Sequence, residues 1–185
     1  MRKVVAVELV SLDGVIETPE EWAVGYSNEE MEAANAKGMA ASDALLLGRV
    51  TYEQMTSFWP EQPAGTPMVD YMNSVQKLVV STTLEEVGWN NSTLIKDDIA
   101  EEIAGLKEQP GKDITIIGSA ILVRSLLKAG LLDELRLMVH PVILGSGRRL
   151  FEDGGEQEAL DLASSETFDT GVVSLAYRPS DEKDS

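Results

Sequence analysis

The chain has 185 residues, 43% apolar and 25% charged, which is the composition of one globular domain with a real core rather than of a disordered chain. Its 32 Asp and Glu outweigh 15 Lys and Arg, and a formal charge of −17 sets the surface against phosphodiester backbones and anionic membranes. Cysteine is absent and His140 is the single histidine, which excludes disulfides, thiolate nucleophiles and any Cys- or His-rich metal centre. Met1-Arg2-Lys3-Val4-Val5 leads straight into alternating sequence without a signal-peptide core, and no run nears the ~18–20 apolar residues of a bilayer span. A soluble, cytoplasmic domain without a metal is expected.

The elements alternate along the chain. Val4 to Val10 predicts a strand, followed by a polar loop from Ser11 to about Ser27. Ser27-Asn28-Glu29-Glu30 is a helix start, with a capping residue and then acids where the helix dipole favours them. Ala44 to Leu47 reads as a buried strand closed by Gly48, and Arg49 to Phe58 as a helix ending before Trp59-Pro60. A Pro/Gly segment from Pro60 to Pro67 precedes a short helix to Val75.

In the second half, Lys77 to Val80 and Thr93 to Ile95 predict strands. Asp97-Asp98 opens an acid-capped helix that Pro110-Gly111 stops after Glu108. Ile114 to Ile117 is a strand, Gly118-Ser119 a turn, and Ala120 to Ala129 a helix closed by Gly130. Leu135 to Val139 and Val142 to Leu144 predict strands on either side of His140-Pro141. Glu166 to Phe168 and Val172 to Tyr177 form a hairpin around Asp169-Thr170-Gly171. Strand–helix alternation followed by consecutive strands implies one α/β domain over 1–179, with a charged tail at 180–185. Its sheet is mixed and mostly parallel, with an antiparallel C-terminal edge.

Open α/β sheets bind ligands beyond the carboxyl ends of their strands, where helix starts offer free N–H groups. Three such ends carry suitable residues. Gly48-Arg49-Val50-Thr51 combines a close-approach glycine, a guanidinium and a hydroxyl, although Gly48 also serves simply to turn the chain. Ser81-Thr82-Thr83 either binds a ribose phosphate and an adenine edge or caps a turn. Ile117-Gly118-Ser119-Ala120 is small enough for a pyrophosphate or nicotinamide to lie against its backbone, but no GxGxxG is present, which excludes an ordinary Rossmann fingerprint.

These motifs, with Ser11-Leu12-Asp13-Gly14, Asp43 to Glu53, Lys77 to Leu84 and Ile116 to Ser119, resemble the dihydrofolate reductase superfamily. Leu132-Asp133-Glu134-Leu135, His140 to Gly147 and Leu150-Phe151 are similar to one branch, the stand-alone relatives of the reductase domain of the bacterial bifunctional riboflavin deaminase-reductase. The resemblance implies a three-layer fold with helices on both faces of the sheet. It implies NADPH-dependent hydride transfer to a pterin- or pyrimidine-like heterocycle, of the 5-amino-6-(5-phosphoribosylamino)uracil reductase type. The alternative is a catalytically silent nucleotide-binding module on the same fold.

Carried over by motif, Gly48, Arg49, Val50 and Thr51 meet the cofactor phosphates. Ser81, Thr82 and Thr83 hold the adenosine end with its 2′-phosphate. Ile117, Gly118, Ser119, Ala120, Ile121 and Leu122 contact pyrophosphate and nicotinamide. Asp13 and Ile16 border the substrate pocket, where Trp22 is either a wall for a flat ring or a loop anchor. No acid of the group Glu29, Glu30 and Glu32 can be assigned to a substrate, and Arg148-Arg149 after Gly147 is either a basic pair for a substrate phosphate or a solvated surface pair. His140 reads as a structural or interface residue. Branch relatives pair through the C-terminal strands, so a homodimer is expected, joined through Leu135 to Leu144 and Val172 to Tyr177.

Overall fold

A computed structural model describes residues 1–153 and 155–180 of the chain, so 181–185 of the expected tail lie outside the described residues. Among the described residues, eight strands form one sheet: β1 (Val4–Ser11), β2 (Ser42–Gly48), β3 (Gln76–Val80), β4 (Ser92–Ile95), β5 (Asp113–Ile117), β6 (Glu134–His140), β7 (Leu160–Thr167) and β8 (Val173–Pro179). The order across the sheet is β4-β3-β2-β5-β1-β6-β8-β7. The first six strands are parallel to one another, and β8 and β7 add the antiparallel edge.

The described residues also form the α-helices α1 (Pro19–Trp22), α2 (Glu29–Ala41), α3 (Arg49–Phe58), α4 (Pro67–Ser74), α5 (Ile99–Glu108) and α6 (Ala120–Lys128), which connect the strands. Strand side chains alternate between the faces, so Val4, Ala6, Ala44, Leu46, Ile114 and Ile116 share one face. Ile103 of α5 and Leu122, Val123 and Leu126 of α6 cover it. Leu45, Leu47 and Val79 on the other face meet Tyr52 of α3 and Met72 of α4, while Leu9 and Met138 meet Met31 of α2. Three layers result, with the central parallel strands buried from both sides. No described helix is long and apolar enough to cross a membrane.

Local chemistry sets the element ends. The Asn28 side chain accepts from Met31 N–H at the start of α2, and the Thr66 side chain accepts from Val69 N–H at the start of α4. Four sequence expectations are corrected. Asp98 sits in the left-handed region at φ 46° and makes no capping bond, so α5 starts without the expected acid cap. The loop after β1 holds α1 and a turn of 3₁₀ helix at Val24–Tyr26.

Val142 to Leu144 is not a strand. The Pro141 nitrogen carries no hydrogen, and the chain leaves the sheet there to accept from Leu12 N–H at Val142 O. Finally, the C-terminal edge strand is β7 from Leu160, whose eight residues are nearly all exposed, whereas β6 lies inside the sheet between β1 and β8.

Candidate functional site

The carboxyl ends of β1, β2, β3 and β5 open on one side of the sheet. After β2 the chain runs into α3 on one face; after β5 it runs into α6 on the other. Neighbouring strands whose helices leave in opposite directions create a crevice between them, and helix starts point their N–H groups into it.

Glycines let the two turns meet. A Cβ on Gly48 would lie 2.5 Å from Ser119 Oγ, and one on Gly118 would lie 3.0 Å from Thr51 Oγ1. Gly118 and Ser119 both have φ 69°, a conformation that costs a non-glycine residue such as Ser119 about 1–2 kcal/mol. Ser119 offsets part of this by accepting from Leu122 N–H at 3.4 Å. At the start of α3, Gly48 offers no capping side chain, so the first amides of that helix have no side-chain acceptor.

The expected site residues fall into two groups. Gly48, Arg49, Val50, Thr51, Ile117, Gly118, Ser119 and Ala120 gather at the crevice. Arg49 is half-exposed and pairs with Glu53 one helical turn on, at 2.9 Å. Ile121 is exposed, whereas Ala120 and Leu122 turn their side chains into the core and leave only backbone for a ligand.

Ser81 Oγ accepts from Thr83 N–H and Leu84 N–H at 3.2 and 3.0 Å, which is the turn-capping role, and Thr82 and Thr83 remain exposed beside it. Asp13 holds a different junction. Its carboxylate accepts from Ser11 Oγ, Leu144 N–H and Gly145 N–H, and these bonds pull its pKa down to about 2. Arg149 donates to Asp13 O, Ile16 N–H donates to Arg148 O, and Val15 bridges to Arg149. The basic pair therefore staples two loops together, Arg148 lying 3.9 Å from Glu17. Trp22 donates to Glu17 O, and its ring stands edge-on to His140 at 5.3 Å, as a loop anchor does.

One buried group, Glu8, escaped the sequence reading, and His140 takes the structural place expected of it. Glu8, in the middle of β1, is 3% exposed; burial pushes its pKa up to about 8, and the Gly118 N–H only partly opposes this. Its Oε1 has no hydrogen-bond partner. An acid inside a strand that a parallel sheet buries from both sides is the signal that would have found it. His140 is fully buried with Nδ1 2.8 Å from Met138 O, and burial lowers its pKa, so it is neutral and Nδ1 is the donor. A groove of about 540 Å³ lies between Tyr52, Asn73 and Trp89, where Tyr52 OH accepts from Trp89 N–H and Asn73 Oδ1 accepts from Trp89 Nε1.

Residues 2–174 match the family model of the RibD C-terminal domain. The uncharacterized protein YyaP of Bacillus subtilis (strain 168) is 33% identical over 179 residues, covering 95% of this chain and 94% of that protein. Solved structures share the fold. A protein of Shewanella sp. PV-4, described provisionally as a riboflavin biosynthesis protein, has a TM-score of 0.78 at 23% identity, over 96% of this chain and 99% of that one. The bifunctional deaminase/5-amino-6-(5-phosphoribosylamino)uracil reductase of Thermotoga maritima has a TM-score of 0.66 at 15% identity, over 97% of this chain and 57% of that one. Dihydrofolate reductase from Enterococcus faecalis, complexed with NADP(H), has a TM-score of 0.62 at 14% identity and 97% coverage of both chains.

Proposed function

The chain belongs to the RibD C-terminal domain family, and from that premise we propose that it is an NADPH-dependent reductase acting on a pterin- or pyrimidine-like heterocycle. The observation that carries this reading is the crevice at the end of β5, where the starts of α3 and α6 approach each other over Gly48 and Gly118. Amides of two helix starts, free of side-chain acceptors at α3, suit the phosphates of a dinucleotide.

In this reading, backbone N–H groups at Arg49 to Thr51 and at Ser119 to Ile121 hold the pyrophosphate. The Arg49 guanidinium, released from Glu53, and the hydroxyls of Thr82 and Thr83 hold the adenosine end with its 2′-phosphate. The bound nicotinamide supplies the hydride. Ile16 and Trp22 keep water from the side where the acceptor ring lies. Arg148 and Arg149 are already paired with Glu17 and Asp13, which favours recognition of the ring over grip on a distal phosphate.

Fluorescence titration tests the cofactor. NADPH binds at least about tenfold tighter than NADH, a difference of about 1.4 kcal/mol, and Arg49→Ala removes most of that preference. Equal affinity of the wild type for both would overturn it. Turnover with pterins and deaminated pyrimidine ribosides tests the chemistry; tight binding without turnover would instead favour a silent nucleotide-binding module. The exposed edge strand β7 suits self-pairing into a homodimer, which sedimentation velocity at micromolar concentration checks, a monomer excluding it.

A further inference from the structure

Glu8 follows Val4 and Ala6 on the face of β1 that α5 and α6 cover. The parallel register that sets Val7 beside Ile117 brings Glu8 level with Gly118, the first residue of the left-handed turn that opens α6. On its other side lies Leu137 of β6. The carboxyl is thus walled in by the sheet and helix, with the Gly118 N–H as a polar neighbour and Oε1 without a partner. A buried polar atom left without a partner costs stability, and such costs concentrate where a site is being held ready.

We propose that Glu8 is a positioning residue for the nucleotide site: as a neutral acid it braces the Gly118–Ser119 turn from beneath, and binding of an anionic ligand above that turn draws a proton onto it. The inference rests on the nucleotide reading of the crevice. The brace acts through Gly118, whose N–H faces the carboxyl while the following amides remain turned to the ligand. An ionised Glu8 would set a negative charge under those amides in a dry environment and oppose the cofactor phosphates. By linkage, whatever ionises Glu8 weakens the ligand, and the ligand in turn holds Glu8 protonated.

Among the described residues, no neighbouring charge competes for this role. β1 carries no other ionisable side chain, and β5 carries only Asp113, at its far end. On β6, Arg136 is bonded to Glu134. On α6, Arg124 is turned to Leu150 O and Glu152, and Lys128 pairs with Glu156. On α5, Lys107 pairs with Asp133, at the opposite end of the sheet. Arg148 and Arg149 of the covering loop lie against Glu17 and Asp13. Burial, with the opposing Gly118 N–H, places the ionisation of Glu8 at about pH 8.

NADPH affinity of the wild type, Glu8→Gln and Glu8→Leu, read by fluorescence between pH 7 and 9.5, tests the coupling; the 2′-phosphate titrates near about pH 6, below this window. Wild-type affinity falls about tenfold for each unit that the ligand shifts the Glu8 pKa, whereas both variants change less than about twofold. Calorimetry at pH 8.5 in two buffers of different ionisation enthalpy shows proton uptake on binding in the wild type alone. At pH 7, Glu8→Gln retains near-wild-type affinity because its amide oxygen still accepts from Gly118 N–H. Glu8→Leu binds more weakly, a loss that a purely space-filling role would not produce. An equal pH dependence in wild type and Glu8→Gln, with NADPH bound at pH 7, overturns the role of Glu8 alone. Failure of the wild type to bind NADPH at pH 7 overturns the nucleotide reading, and this inference with it.

Discussion

The two ends of the parallel sheet treat buried charge in opposite ways. At the amino end, cations are embedded and satisfied. Lys77 is fully buried, donates to Val75 O and Asn90 O, and lies 4.2 Å from the centre of the Trp89 ring. Arg2 holds Lys112 O and Asp43, and Lys107 pairs with Asp133 at 2.8 Å. Lys77 lies just past the end of α4, and Arg2 and Lys107 lie by the ends of α2 and α5, where helix carbonyls lack internal donors, as when Lys112 Nζ donates to Ala40 O.

The carboxyl end is unfinished by comparison. Glu8 Oε1 and His140 Nε2 lack partners there, whereas the amino end leaves only the Ser92 hydroxyl orphaned among described side chains. One end of the sheet closes its buried charges with its own carbonyls and acids, and the other leaves buried polar atoms without partners beside the crevice.

The largest effect should come from breaking the finished end. Lys77→Ala leaves two carbonyls without donors and opens a cavity, costing about 3 kcal/mol by urea denaturation. Burial holds the Lys77 pKa down to about 8, so the unfolded chain binds more protons than the native one between about pH 8 and 10.5. Wild-type stability therefore rises over that window, and the rise is absent in Lys77→Ala. Glu8 gives the opposite slope. Its raised pKa contributes stability in full below about pH 4.5, and this is lost as pH rises through about 8.

Next comes the glycine contact. Gly118→Val puts a β-branched side chain at φ 69° against Thr51 and should lower NADPH affinity at least about tenfold, with circular dichroism showing the fold retained. Unchanged affinity would mean that the glycine serves only the turn. The smallest effect concerns the loop staple. Asp13 is held well below the usual carboxylate range, so its contribution is present above about pH 4 and lost as pH falls through about 2. Asp13→Asn should shift the acid-unfolding midpoint upward while leaving stability at pH 7 to 9 parallel to wild type.

Several element boundaries are legible in the sequence, whereas the buried Lys77 and Glu8 are not. Arg49–Phe58 was bounded to the residue because Gly48 and Trp59-Pro60 punctuate it, and the hairpin at Asp169-Thr170-Gly171 announced itself through turn chemistry. Two of the three strand-end segments are helix starts after buried strands, which is a local pattern, while Ser81-Thr82-Thr83 caps a turn.

What failed was non-local. Val142 to Leu144 has strand composition, but both flanks of β6 are already taken by β1 and β8, so the segment pairs elsewhere. β7 carries Asp161-Leu162-Ala163-Ser164-Ser165, which lacks a buried face because it lies at the edge and bulges between Leu162 and Ser164. Glu8 lies in an alternating strand, and it is buried because β1 runs between β5 and β6 beneath the helices on that face. The pairing of Arg49 with Glu53 was open to an i,i+4 reading, whereas the engagement of Arg148 and Arg149 with residues far back in the chain was not.

The central position of β1 also governs when the molecule can finish itself. β1 is made first, yet its neighbours β5 and β6 are made after everything that forms the other half of the sheet. Val4 N–H reaches Asp133 across 129 residues, and Leu144 N–H reaches Asp13 across 131. During synthesis the segment through β4 can pair β2, β3 and β4 among themselves while the leading strand waits with its apolar flanks uncovered. Contacts of such long range make for slow closure and a hazard of premature association. The mouth of the crevice is stitched only when residues near 150 arrive, so a chain stalled before them would carry helix starts at the crevice but no wall beside it.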